Sequence, residues 1–149
     1  MTPMPTGVTK APVDVLEEQL VVLFRRARAG FERHARALHP ELDAAAYGLL
    51  HLIDSAPAPT VTDLATRLSV GKPTVSRQIS ALEQLGLLTR EQPDAGRRTT
   101  LLKLTPDGRA RLQNARDRRR QQLQFLLADW PTSDVETLIR LLARYNQLS

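Results

Sequence analysis

Periodicity in the sequence predicts a mainly α-helical fold interrupted once by a small β-hairpin. Three observations carry this. Apolar residues recur at three- and four-residue intervals through most of the chain. Two short helical patterns flank a turn of about three residues near the midpoint. Directly after them, LLTREQ (87–92) and TTLLKL (99–104) are short β-branched or apolar runs separated by the turn-rich PDAGRR (93–98), which reads as a hairpin.

The elements follow in order. Residues 1–12, MTPMPTGVTKAP, lack an apolar run and read as a disordered tail rather than a signal peptide. A single domain is expected over 13–149. Its first helix runs over 13–38, with Leu16, Leu20, Leu23, Ala27, Phe31 and Leu38 near the heptad spacing and Glu17 and Glu18 in the first turn. The segment DAAAYGLLHLID (43–54) is capped by Asp43 and apolar around most of its circumference, so it is a buried helix that APAPT (56–60) ends. A third helix, VTDLATRL (61–68), opens on a Thr60…Asp63 capping box. After a turn ending at Gly71 comes the fourth, whose Val75, Ile79 and Leu82 share one face. Beyond the hairpin, Thr105 as N-cap and Pro106 at the first position restart a helix over 105–128. DWPT (129–132) breaks it. Ser133…Glu136 then reads as a capping box for a last helix over 133–148, where Val135, Leu138, Ile139, Leu142 and Tyr145 make a broad apolar face.

Composition bounds the chemistry. The chain has 149 residues, no cysteine, a net charge of +5 and a pI of about 10.4. Arginine supplies nearly all of the positive charge, and guanidinium matches phosphate and guanine edges. The absence of cysteine excludes disulfides, thiol switches, zinc–thiolate sites and a cysteine nucleophile. No run reaches the 18 or more apolar residues of a spanning helix, so a cytoplasmic protein without membrane contact is expected. The sequence has no glycine-rich phosphate loop, nucleophile elbow or paired catalytic carboxylates, which argues against an enzyme. No cofactor is expected.

The fourth helix carries an unusual outer face. Thr74, Ser76, Arg77 and Gln78 present short hydroxyls, an amide and one guanidinium, with little solubilising charge. Base edges in the major groove offer donors and acceptors at fixed places, and a helix that reads them needs groups of this kind. Lys72 at its start suits a phosphate, and Pro73 sits in the first turn, where a missing N–H costs little. Two helices of this kind (60–86) followed by a hairpin (87–104) make a winged helix-turn-helix. Arg97 and Arg98 at the hairpin tip, with Gly96 permitting a tight turn, suit phosphates or the minor groove, and Arg90 is a further candidate.

The order of elements, TVTDLATRLSVGKPTVSRQISALEQLGLLTR (60–90) and PDAGRRTTLLKLTPDG (93–108) resemble the MarR family of bacterial transcriptional regulators over nearly the whole chain. The Leu85-Gly86-Leu87-Leu88 turn and the run Arg97-Arg98…Leu104-Thr105…Gly108 are its more specific marks. One departure stands out. The family commonly places an Asp directly before the paired arginines to hold the second; here Gly96 occupies that position, and Asp94 lies two residues earlier as its substitute. The resemblance implies a homodimer built from the first and last two helices, repression of transcription at a palindromic operator in double-stranded DNA, and release by a small aromatic or phenolic effector. The apolar faces agree, because Leu16, Leu20, Leu23, Leu138, Leu142 and Tyr145 exceed what three helices of a monomer can hide. Phe31, Tyr47 and His51 are candidates for an effector pocket or for ordinary core.

Other features carry plainer readings. The run ARDRRRQQ (115–122) lies mid-helix and reads as a solvated face. His34, His39 and His51 lack metal-ligand spacing, and no metal is expected. Trp130 reads as a packing anchor at a helix break. The alternative function is a winged-helix module that binds DNA without sequence preference or docks a protein.

Overall fold

The computed structural model describes residues 10–93 and 99–148. Among them are six helices and one two-stranded antiparallel hairpin. The expected N-terminal tail falls largely on residues outside this range.

Helix α1 spans Pro12–Leu38, about 40 Å at 1.5 Å per residue. Pro12 needs no N–H at the helix start, and the Asp14 carboxylate accepts the Ala11 N–H at 3.1 Å. The first-turn acid is therefore Asp14; Glu17 and Glu18 lie one turn further on, where Glu18 pairs with Lys10. Helix α2, Ala44–Ser55, is capped as expected, with the Asp43 carboxylate accepting the Ala46 N–H at 2.7 Å. It is the central element and buries Tyr47, Leu49, Leu50 and Ile53.

Helix α3, Val61–Leu68, closes the predicted capping box from both sides. The Asp63 N–H donates to Thr60 Oγ1 at 3.2 Å, and the Thr60 N–H donates to Asp63 Oδ2 at 2.9 Å. It ends in a left-handed residue, but that residue is Ser69 (φ +53°) rather than a glycine. The Val70 N–H then reaches Ala65 O and the Ser69 N–H reaches Thr66 O, which together satisfy two terminal carbonyls. Gly71 is the N-cap of α4, Lys72–Gln84, with an ordinary φ of −69°.

Helix α4 ends the same way, now with glycine where the left-handed φ of +72° favours it: Gly86. Strand β1, Leu88–Glu91, pairs with β2, Leu101–Leu104, so that Leu88 faces Leu104 and Arg90 faces Leu102. Helix α5, Pro106–Leu126, starts at the expected Thr105 cap, whose Oγ1 accepts the Gly108 N–H at 3.0 Å.

Helix α6, Thr132–Asn146, departs from expectation at its start. Its N-cap is Pro131, without a side-chain cap, and Ser133 is already helical, so Ser133 and Glu136 form no capping box. The proline, held at φ −57°, sets the entry, and its carbonyl accepts the Asp134 N–H at 3.0 Å.

One hydrophobic cluster joins these elements. Leu49 and Leu50 from α2, Leu64 from α3, Val75, Ile79 and Leu82 from α4, Leu102 from β2 and Leu112 from α5 are fully or almost fully buried. The described part of α6 contributes no buried residue. No helix among the described residues is long and apolar enough to cross a membrane.

Candidate nucleic-acid interface

The local fold presents α4 as the outer helix of a two-helix unit. Its buried Val75, Ile79 and Leu82 fix which side faces the core. That leaves Lys72, Pro73, Thr74, Arg77, Ser80 and Gln84 exposed in one stripe, with Ser76 and Gln78 half-buried on its flanks. The residues expected to read bases therefore divide: Thr74 and Arg77 project fully, whereas Ser76 and Gln78 stand at the edges. Sequence reasoning left Ser80 out of the site, although its position three residues after Arg77 puts it on the same face. The start of α4 carries no side-chain cap; Pro73 has no N–H and the Thr74 N–H donates to Gly71 O at 3.1 Å, so the Lys72 N–H is the first-turn donor left for an anion beside the Lys72 side chain.

Arg90, a further candidate for phosphate contact, is exposed and is also engaged within the chain. Strand alternation puts it on the inner face with Leu88, and its Nε donates to Glu83 Oε2 at 2.9 Å while Nη2 donates to Ser80 Oγ at 3.3 Å. Glu83 is the single acidic residue of α4. Arg90 thus neutralises the one carboxylate of α4 and ties the hairpin to that helix. On the outer side, Lys103 pairs with Glu91 at 2.5 Å. Asp94, Gly96, Arg97 and Arg98 at the hairpin tip lie outside the described residues.

Behind this unit, the candidate pocket residues do come together. The Tyr47 ring lies 5.8 Å from Phe31 and 4.6 Å from His51, edge-on to the latter. Tyr47 is fully buried, yet its hydroxyl has no hydrogen-bond partner among the described residues, and neither does His51 Nε2. The run 115–122 is not uniformly a solvated face. Arg116 turns inward, donating to Asp54 Oδ2 at 2.6 Å and meeting His51 Nδ1 at 3.2 Å, and Arg119 sits 5.3 Å over the Phe31 ring. Guanidinium can only donate, so Nδ1 must be the acceptor and the ring proton belongs on Nε2. Burial and then Arg116 lower the pKa of His51, which keeps it neutral; burial and Arg119 act likewise on His34. Tyr47 is raised by burial. A neutral Nε2–H and a hydroxyl, on rings in edge contact, are therefore both buried without a partner among the described residues, which buried donors rarely are.

The helices expected to pair with a second copy expose their apolar faces. Leu16, Leu23, Leu138, Leu142 and Tyr145 are each 39–52% exposed, and Leu20 is half-buried. Phe24 and Phe125, which sequence reasoning did not single out, are more exposed still. A groove of about 740 Å³ runs between α1, α5 and α6, lined by Leu23, Phe31, His34, Arg119, Trp130 and Leu138 among others. Trp130, expected to be a packing anchor, is 48% exposed there, so about half of its surface is left uncovered within a single chain.

Comparison with known proteins agrees with this architecture. Residues 41–99 match the MarR family. The chain is 29% identical over 136 residues to YxaD of Bacillus subtilis, an uncharacterized HTH-type transcriptional regulator, spanning 91% of this chain and 94% of that protein. Its fold is similar to that of Streptococcus pneumoniae FabT in complex with DNA, with a TM-score of 0.79 and 19% identity over 91% of this chain and 95% of that one. Staphylococcus aureus MarR in complex with salicylate and kanamycin is similar at a TM-score of 0.77, with 17% identity over 91% of both chains. With the winged helix-turn-helix and its exposed outer helix, these matches make the chain similar to MarR family transcriptional regulators, in sequence over residues 41–99 and in fold over most of its length.

Proposed function

We propose that the protein is a homodimeric, ligand-responsive repressor that reads a near-palindromic operator. The observation that carries the reading is the exposed stripe of Lys72, Thr74, Arg77 and Ser80 on a helix whose other face is locked into the core. Arg77 and Thr74 choose bases, with Ser76 and Gln78 at the edges of the contact; Lys72 and Pro73 sit against the phosphates. Arg97 and Arg98, with Gly96 and Asp94, are read from the sequence alone as a further DNA contact, since they lie outside the described residues. The unpartnered apolar faces of α1, α5 and α6 support a second copy as their cover, and a two-fold pair would put two reading helices about one turn of DNA apart.

Ligand response rests on the second site. Tyr47 and His51 offer two neutral donors without an acceptor, Phe31 offers a ring face, and Arg116 and Arg119 make the surroundings positive. A small aromatic or phenolic compound carrying an acceptor oxygen suits that arrangement.

The test is an anisotropy titration of duplex selected by the protein from a random pool, against scrambled competitor, with salt varied. The reading expects competitor-resistant binding at two chains per site, with a log–log salt slope on the order of −7 for about eight phosphate contacts. Equal, weak binding to both duplexes would instead support the nonspecific or protein-docking module. Salicylate titrated into the complex should release DNA, and Tyr47→Phe with His51→Ala should blunt that release.

A further inference from the structure

We propose that Thr105 is a positioning residue for DNA reading: its hydroxyl fixes the angle between α4 and α5 and so sets which half-site spacing the protein accepts. The inference rests on the dimeric reading above. The reading helix ends at Gly86, and the carbonyls of Gly86 and Leu87 point at the start of α5. Thr105 takes both: Oγ1–H donates to Gly86 O at 2.6 Å, and its backbone N–H donates to Leu87 O at 3.1 Å. The same Oγ1 accepts the Gly108 N–H at 3.0 Å, so one hydroxyl belongs to the last turn of one helix unit and the first turn of the next. Gly108 lets the two turns touch, because a Cβ there would stand 2.1 Å from Leu87 O.

From this joint α5 runs 21 residues, about 32 Å, away from the reading unit towards the apolar faces that a partner would cover. Two reading helices in a dimer are connected through this joint and through the packing of α1 on α2. A stiff joint transmits the geometry of the base to α4; a loose one lets each α4 seek its own half-site. Changing the half-site separation by one base pair moves the far site by about 3.4 Å and turns it by about 35°, which a stiff joint cannot follow.

Three variants separate the contributions. Thr105→Ser keeps both roles of the hydroxyl, Thr105→Val removes them, and Thr105→Asp still caps α5 but cannot donate to Gly86 O. Affinities are measured for the selected operator and for the same duplex with one central base pair inserted or deleted. Wild type and Thr105→Ser should lose at least about tenfold on the altered spacings, in the range of a mismatched site. Thr105→Val, and the still-capped Thr105→Asp, should show less than about threefold difference, with affinity for the original spacing reduced. A wild type indifferent to spacing would overturn the two-fold reading and the proposal with it. A discriminating wild type alongside an equally discriminating, folded Thr105→Asp would overturn the joint alone.

Discussion

Two glycine-to-alanine substitutions should act with opposite sign, and the reason is visible at each position. At Gly108 a new Cβ would lie 2.1 Å from Leu87 O and 2.9 Å from Leu87 C, both backbone atoms that cannot swing aside. Relief requires α5 to withdraw by about 1.4 Å, since nonbonded atoms settle roughly 3.5 Å apart. That movement stretches the Thr105 N–H bond to Leu87 O and the Thr105 hydroxyl bond to Gly86 O. Overpacking costs about 1–3 kcal/mol and each of the two weakened hydrogen bonds about 1 kcal/mol, for a loss of about 3–5 kcal/mol. At Gly48, inside α2, a Cβ meets nothing within 4 Å. Alanine there should stabilise by about 0.5–1 kcal/mol through the lower helix entropy cost. Thermal unfolding at one fixed protein concentration reads both: Gly108→Ala should fall by on the order of 10 °C and Gly48→Ala should rise by about 2–3 °C. Gly108→Ala melting with wild type would refute the close joint; Gly48→Ala melting well below it would refute the open space at α2.

Other outcomes follow from single contacts. Ser69→Gly should stabilise by about 0.5–1 kcal/mol in denaturant titration, because Ser69 holds a left-handed φ of +53°; an unchanged midpoint would mean that the turn stores no such cost. Arg90→Ala should weaken DNA binding on all sequences by exposing Glu83, yet leave the salt slope unchanged, whereas Lys72→Ala should reduce it by about 1. A slope loss for Arg90→Ala would put that guanidinium on a phosphate after all. The pKa values of His34 and His51 are lowered in the folded protein, so the unfolded chain takes up protons near pH 6.5 while the folded chain does not. Stability should therefore fall as pH drops through 6.5 towards the folded-state values, and His51→Leu should flatten that slope; a slope unchanged by the substitution counts against His51 as its source.

Much of this architecture is legible in the residues themselves. Asp43, the Thr60–Asp63 box and Thr105-Pro106 mark helix starts through local chemistry, and each forms the bonds its side chain allows. The Ser133–Glu136 pair failed because Pro131 starts the helix two residues earlier, a backbone constraint that outranks a side-chain cap. The reading face of α4 was legible because its apolar positions fix its polar ones. Strand alternation from Leu88 puts Arg90 on the side of the hairpin that faces α4, but its pairing with Glu83 and Ser80 was not legible, since it depends on how the hairpin meets that helix. The inward turn of Arg116 and Arg119 was not legible, since it depends on Asp54, His51 and Phe31 arriving from two other helices. The same holds for the unpaired donors of Tyr47 and His51, and for the Ser69 turn, where a side chain tolerates a conformation usually left to glycine.

The central claim is that α4 reads base edges through Arg77, and specificity ratio tests it more directly than affinity. Wild type and Arg77→Ala should be titrated against the selected operator and against variants changed one base pair at a time. The account predicts that Arg77→Ala loses about 1–3 kcal/mol on the operator and stops distinguishing bases at one position in each half-site, with other positions still discriminated. An Arg77→Ala protein that keeps both operator affinity and full base preference would contradict the assignment of α4 as the reading helix.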